Sequence, residues 1–383
     1  MFRISQFIRE LTHPTPVGPR RLSGNCAPGP VVIWNLIRRC NLTCKHCYSI
    51  SADTDFKGEL SREEVFAVMN DLMACRVPVL ILSGGEPLLR PDIFDIARHA
   101  KEMGFYTALS SNGTLIDAHN IDAIAAIGFD YVGISFDGIA ATHDRFRRKE
   151  GAYAASLAGL RLCRERGLKV GVRYTMTEDN AHDLPALLQL VRDEKIDRFY
   201  FSHLNYAGRG NKNRSTDARH LTTRRAMDLL FDQCWEDHRA GRECDFTTGN
   251  QDADGAYFLY WVRSRFPERA EHIDAKLRQW GGNASGVNVA NIDNLGAVHP
   301  DTMWWHVPLG NVRERPFSKI WSDPSNPLLA RLREHPRRIG GRCGCCRYLA
   351  ICNGSSRVRA EQDGGDVWSE DPACYLSDEE IAA

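Results

Sequence analysis

No apolar run in this sequence approaches the roughly 18 to 20 residues that a bilayer-crossing helix needs, so a helical membrane span is set aside. Net charge is missing too. The 49 Lys and Arg residues balance 49 Asp and Glu, leaving no overall field to attract nucleic acid or anionic lipid, and neither is an expected partner. A secretory leader is not evident, because Arg3, Arg9, Glu10, Arg20 and Arg21 interrupt the first apolar stretches; the expected location is cytoplasmic. There is no low-complexity tract. Cysteine, by contrast, is in excess: 13 residues, an odd number that fits a pure disulfide framework poorly and points to metal ligation. Eight form two groups, Cys40/Cys44/Cys47 near the start and Cys343/Cys345/Cys346/Cys352/Cys374 near the end; Cys26, Cys75, Cys163, Cys234 and Cys244 are scattered and read as ordinary thiols.

The length, 383 residues, allows one large domain with an appendage. Short aliphatic and β-branched runs at 30–37, 77–82, 105–109, 131–136, 168–175 and 198–203 predict six strands. Runs such as Val79-Leu80-Ile81-Leu82 lack alternation, as strands buried on both faces do. Helical patterns lie between them. One opens with the capping box Ser61-Arg62-Glu63-Glu64, and others cover 91–103, 118–126, 152–165 and 182–193. This βα rhythm predicts an α/β fold with a parallel sheet, open or closed into a barrel. After residue 210 the pattern changes to helices near 222–240 and 256–280, with a hairpin around Asp293 to Gly296. The predicted organisation is an extension over 1–29, a βα unit over 30–210, a helical connecting region over 211–285 and a cysteine-bearing domain over 286–383.

Directly after the first predicted strand comes Cys40-Asn41-Leu42-Thr43-Cys44-Lys45-His46-Cys47. Three thiolates at this spacing bind three irons of a cubane and leave the fourth open. A zinc knuckle is the alternative, but only His46 could serve as a nearby fourth ligand, and it is awkwardly placed between two cysteines. Polar and glycine-rich groups end the next strands: Gly84-Gly85-Glu86-Pro87, Ser110-Ser111-Asn112-Gly113-Thr114 and Ser135-Phe136-Asp137-Gly138. Each alone reads as turn chemistry. Near the carboxyl end, Cys343-x2-Cys346-x5-Cys352-x21-Cys374 supplies four thiolates, with Cys345 left over as a possible substitute; spacing leaves a 4Fe-4S cluster and a zinc site both open.

Taken in order, the cysteine, GGEP and strand-end motifs resemble the radical S-adenosylmethionine (SAM) superfamily. The resemblance implies a partial (β/α)6 TIM-like barrel in which Cys40, Cys44 and Cys47 hold a catalytic [4Fe-4S] cluster whose open iron takes SAM. It further implies that Gly84, Gly85 and Glu86 hold the methionyl amine, and that Ser110, Asn112 and Ser135 face the ribose or carboxylate. Arg173 is a candidate partner of the SAM carboxylate or of a structural salt bridge. The tail, with Leu309-Gly310-Asn311-Val312 and Phe317-Ser318-Lys319-Ile320-Trp321 ahead of its cysteines, resembles SPASM/Twitch domains, which implies a second [4Fe-4S] cluster on Cys343, Cys346, Cys352 and Cys374.

Across nearly the whole chain the sequence is similar to the NirJ family of haem d1 biosynthesis. The similarity rests on Ile33 to Tyr48, on His203-Leu204-Asn205-Tyr206-Ala207-Gly208-Arg209-Gly210, and on Asn291 to Cys374. It implies 12,18-didecarboxysirohaem as substrate, with attack on its propionates by a 5'-deoxyadenosyl radical, and an electron donor such as flavodoxin or ferredoxin. A carboxylate-bearing tetrapyrrole wants guanidinium groups, for which Arg145, Arg147, Arg148 and Arg209 are candidates, and an aromatic wall, for which Tyr206, Trp304 and Trp305 are candidates. His203 and His299 are candidates for ligating substrate iron or donating a proton. Haem-pathway decarboxylases share much of this motif set. SPASM peptide maturases often carry a recognition domain before the barrel, where only about 30 residues stand here. A non-enzymatic iron-sulfur or zinc module would not need the GGEP and strand-end motifs.

Overall fold

The computed structural model describes residues 1–18 and 28–382, so Cys26, Arg20 and Arg21 lie outside the described residues. The six expected strands are present: β1 Val31–Asn35, β2 Val79–Ser83, β3 Tyr106–Ser111, β4 Tyr131–Ser135, β5 Val170–Met176 and β6 Arg198–His203. Four more follow: β7 Asp245–Gly249, β8 Val289–Ile292, β9 Ala297–His299 and β10 Gly310–Asn311. All ten form one sheet in the order β10-β9-β8-β1-β2-β3-β4-β5-β6-β7. The run from β8 to β7 is parallel throughout, while β9 and β10 attach antiparallel beyond β8.

One face of every strand in the parallel run looks into a single cavity. Ile33, Ile81, Ser110, Tyr131, Arg173, Tyr200, Thr247 and Val289 each contribute to its wall. A flat sheet cannot bring its two ends to one cavity, so the strands curl into a partial barrel, open between β7 and β8. The alternate residues pack outward under the helices, and Val32, Leu80, Val132, Val172 and Phe199 are fully buried there. Truncating any one to a smaller side chain would leave a cavity costing about 1 to 5 kcal/mol.

The free edge of β7 is covered by the amino-terminal segment. Phe2 exchanges both backbone hydrogen bonds with Thr248, at 2.9 and 2.7 Å. The helix Ile4–Thr12 then buries Ile4, Phe7, Ile8 and Leu11. Such cover removes an unpaired strand edge.

The Ser61 capping box forms with Glu64, as expected. The 293–296 hairpin turns through Asp293, whose carboxylate accepts from the N–H groups of Leu295 and Ala297. Three features differ from the sequence expectation. β7 lies within the stretch read as helical; its five residues, Asp-Phe-Thr-Thr-Gly, gain their strand character from pairing with β6. The helix expected over 256–280 is two, Ala253–Arg265 and Ala270–Trp280, because Pro267 interrupts the hydrogen-bond ladder. An unexpected helix, Ala141–Arg147, follows β4. No described helix is long and apolar enough to cross a membrane.

Candidate functional site

The motif residues gather at the carboxyl ends of the strands, where they line a cavity of about 650 Å3. β1 runs out into the cysteine loop, which is pinned by backbone contacts. Cys40 N–H donates to Ala52 O at 3.0 Å, Gly85 N–H to Ile37 O at 2.6 Å, and Glu86 N–H to Arg39 O at 2.9 Å. A Cβ on Gly84 would overlap the Ile37 carbonyl and one on Gly85 the Arg39 carbonyl, so only glycine lets β2 end against this loop.

Cys40, Cys44 and Cys47 pack as one group with Leu42 and all three line the cavity. Cys40 Sγ receives the Leu42 N–H at 3.4 Å, Cys44 Sγ receives an Arg147 N–H at 3.4 Å, and Cys47 Sγ lies 3.3 Å from Ser49 Oγ. Burial, followed by the charge of Glu86, pushes the Cys40 thiol up to about 12, and burial raises Cys44 as well. Buried thiols aimed at one another with N–H donors on sulfur suit coordination of a polynuclear iron-sulfur centre, whose positive charge replaces the lost hydration. Among the described residues no three His, Cys, Asp or Glu side chains converge as the ligands of one metal ion would.

Glu86 is fully buried and, unlike Gly84 and Gly85, does not line the cavity. Its carboxylate accepts from Ser111 Oγ at 2.9 Å, Asn112 N–H at 2.8 Å and Leu88 N–H at 3.2 Å, fixing the end of β3. Burial still outweighs these bonds and lifts its carboxyl to about 7. Asn112 in turn donates to Asn41 Oδ1 at 2.9 Å, tying β3 to the cysteine loop. Ser110, Asn112, Ser135 and Arg173 all line the cavity. Arg173 donates to Ser110 Oγ and lies over the Tyr200 ring at 5.4 Å; among the described residues no carboxylate is within ion-pair distance of it.

Asp137 carries no signal in the sequence beyond its place in the Ser135-Phe136-Asp137-Gly138 run. It ends the β4 motif, accepts from Thr175 N–H at 2.8 Å and pairs with Arg147 at 2.5 Å, both side chains being buried. Arg147, which lines the cavity, thus joins Asp137 to Cys44. The helix 141–147 that carries it is what places it there. His46 Nε2 is 3.7 Å from Asp137, and burial holds the imidazole down to about 4, neutral near pH 7.

The substrate candidates separate. Arg145 and Arg148 are exposed and off the cavity, Arg145 donating to Thr142 Oγ1 on its own helix. Arg209 clamps the cysteine loop through Cys44 O at 2.8 Å and Ser51 O at 2.9 Å, and Tyr206 donates to Asp217 at 3.1 Å; neither lines the cavity. None of the four lines the cavity: Arg145 and Arg148 face solvent, while Arg209 and Tyr206 hold scaffold contacts. Trp305 and His299 stack on each other, 6.4 Å apart, outside the cavity. Trp304, His203 and Arg357 do line it.

In the tail, Cys352 is partly buried, and its thiol is raised first by burial and then by the charges of Cys374, Cys343 and Cys346 near it. Cys346 Sγ receives the Tyr348 N–H and Cys352 Sγ the Gly354 N–H, each at 3.4 Å. Cys345 points to solvent and contacts only Arg342 O, at 3.5 Å. The tail is fastened to the barrel by Arg359, which pairs with Asp371 at 2.7 Å and donates to Leu204 O at 2.8 Å.

Residues 34–191 match the sequence profile of the radical SAM superfamily. The chain is 54% identical to a pre-heme d1 synthase of Dinoroseobacter shibae over 98% of its length and 93% of that protein's. It is 44% identical to an Fe-coproporphyrin III synthase of Methanosarcina barkeri, covering 92% and 89%. Its fold is that of Streptococcus suis SuiB bound to S-adenosylmethionine, with TM-score 0.69 and 17% identity over 91% of this chain and 78% of that one.

Proposed function

The chain belongs to the radical SAM superfamily, and from that premise we propose that it is the haem d1 pathway enzyme that modifies the propionate side chains of 12,18-didecarboxysirohaem. The observation that carries this reading is the 54% identity with a pre-heme d1 synthase, nearly end to end in both chains. Cys40, Cys44 and Cys47 would hold the [4Fe-4S] cluster, which together with SAM supplies hydrogen-atom abstraction from an unactivated side-chain carbon.

The rest is the work of the chain's own groups. Backbone at Gly84 and Gly85 receives the methionyl amine, with Glu86 as the post that holds Asn112 in place. Ser110, Asn112 and Ser135 face the ribose and carboxylate, and Arg173, with no carboxylate of its own in ion-pair range, takes the SAM carboxylate. Arg147 lends a buried positive charge to the Cys44 thiolate. Cys343, Cys346, Cys352 and Cys374 hold a second [4Fe-4S] cluster, with Arg357 lying between those thiols and the cavity. Trp304 offers the macrocycle a flat apolar wall. Electrons come from a cytoplasmic donor such as flavodoxin or ferredoxin.

The 44% identity with an Fe-coproporphyrin III synthase favours a second reading, decarboxylation of a related tetrapyrrole. One experiment separates them: turnover of 12,18-didecarboxysirohaem by the anaerobically reconstituted, reduced protein, with the product read by mass spectrometry. Loss at the propionates supports the haem d1 reading. Conversion to iron coproporphyrin III would move the chain to the second. Formation of 5'-deoxyadenosine with the tetrapyrrole unchanged would reject the haem d1 reading.

A further inference from the structure

Two imidazoles line the cavity, His46 and His203. His46 sits between two cluster cysteines, with its Nδ1 closed off from the cavity space by burial and its Nε2 turned to Asp137 at 3.7 Å, so neither nitrogen is open to a ligand. His203, at the end of β6, differs. Its Nε2 is 3.0 Å from Asp254 Oδ2, and Asp254 is fully buried on the helix Ala253–Arg265. The other carboxylate oxygen, Oδ1, accepts the Tyr375 hydroxyl at 2.8 Å, and the Tyr375 ring stacks parallel to the imidazole with centroids 6.3 Å apart. An acceptor-only carboxylate at Nε2 requires the proton on Nε2, so in the neutral imidazole the lone pair is on Nδ1, and no described group engages that nitrogen.

This is the arrangement that prepares an imidazole to bind a metal: one nitrogen donates to a carboxylate, which fixes tautomer and ring orientation and raises the basicity of the other. It rests on three elements, β6, the helix after β7 and the residue following Cys374, so the ring cannot turn away without breaking the Asp254 and Tyr375 contacts. The four tail thiols are accounted for as a group of their own, and no mononuclear ligand set exists among the described residues that would give His203 a resident ion. The metal it can meet is one carried in by the cavity's occupant.

We propose that His203 Nδ1 ligates the iron of the tetrapyrrole substrate axially, with Asp254 and Tyr375 as its positioning residues. The inference rests on the tetrapyrrole reading above and adds how the macrocycle is located: coordination fixes the iron at the β6 end of the cavity, and the side chains to be attacked are positioned relative to that point.

The test uses the cluster-loaded enzyme and two probes, iron(III) coproporphyrin III and metal-free coproporphyrin III, followed by absorbance and by electron paramagnetic resonance of the ferric iron. Wild type is expected to give an imidazole-ligated ferric spectrum and to bind the iron probe about tenfold or more tighter than the metal-free one. His203→Ala should lose that spectrum and that preference, regain the spectrum with added imidazole, and bind the metal-free probe as wild type does. Asp254→Asn should keep ligation but weaken the iron probe by about tenfold. An unchanged spectrum and preference in His203→Ala overturns the proposal. If that variant fails to retain its clusters, Asp254→Asn decides, and an undiminished iron preference there overturns it as well. Failure of wild type to bind either probe overturns the tetrapyrrole reading itself, and the proposal with it.

Discussion

Removing Arg147 should harm the protein more than removing Arg147 and Asp137 together. The pair is in contact at 2.5 Å with side-chain exposures of 7% and 1%, so neither charge has water to fall back on. At an effective dielectric of about 20 and a charge separation of about 4 Å, their attraction is about 4 kcal/mol. Deleting one partner of such a pair typically costs about 3 to 5 kcal/mol, because the survivor is left charged and buried. Arg147→Met should therefore lower unfolding free energy by about that much. In Asp137→Asn/Arg147→Met the neutral amide can still accept the Thr175 N–H, so the double variant should recover most of the loss. The assay is anaerobic denaturant unfolding of the four members of the cycle. Additive losses, or a single-variant cost below about 1 kcal/mol, would refute the claim that burial makes this pair interdependent.

Other outcomes follow from the same geometry. Gly85→Ala drives a methyl group into the Arg39 carbonyl and should weaken SAM binding at least tenfold by calorimetry; unchanged affinity would show that the loop can yield. Replacing Cys343, Cys346, Cys352 and Cys374 by Ala should halve the iron content, whereas Cys345→Ala, at an exposed thiol, should leave it unchanged. Burial raises the Glu10 carboxyl, but hydrogen bonds from Thr15, His272 and Lys276 outweigh it and hold the group down to about 2. The stabilisation is therefore complete above about pH 4.5 and lost as pH falls toward 2, a contribution of about 1 to 2 kcal/mol once solvent screening is allowed for. The stability gap between wild type and Glu10→Gln should narrow between pH 5 and 3; a constant gap would contradict this.

Much of the fold was legible because its signals are local. The apolar runs of β1 to β6, the Ser61 capping box and the Asp293 hairpin each depend on neighbours in sequence. β7 was not legible, because Asp245 to Gly249 becomes a strand through β6, whereas Pro267 marks the helix break in the sequence itself. At the site, Gly84, Gly85, Ser110 and the two cysteine groups announced themselves by motif. The Asp137–Arg147 pair did not, since it joins a strand end to a short helix ten residues on. A count of nearby arginines could not tell Arg147, aimed at Cys44, from Arg145 and Arg148, which face solvent. His203 was visible as a histidine near a motif, but its partner Asp254 is 51 residues away, and Tyr375, which donates to Asp254, is further still.

In the proposed function this chain cleaves SAM at a cluster held by Cys40, Cys44 and Cys47. The direct measurement is 5'-deoxyadenosine formed by the anaerobically reconstituted, dithionite-reduced protein, beside a variant in which only those three cysteines are replaced by Ala. Wild-type protein should release it and the variant none, although the variant should still carry the iron of its tail cluster. Equal release from both, or none from a wild-type protein with both clusters loaded, would contradict it.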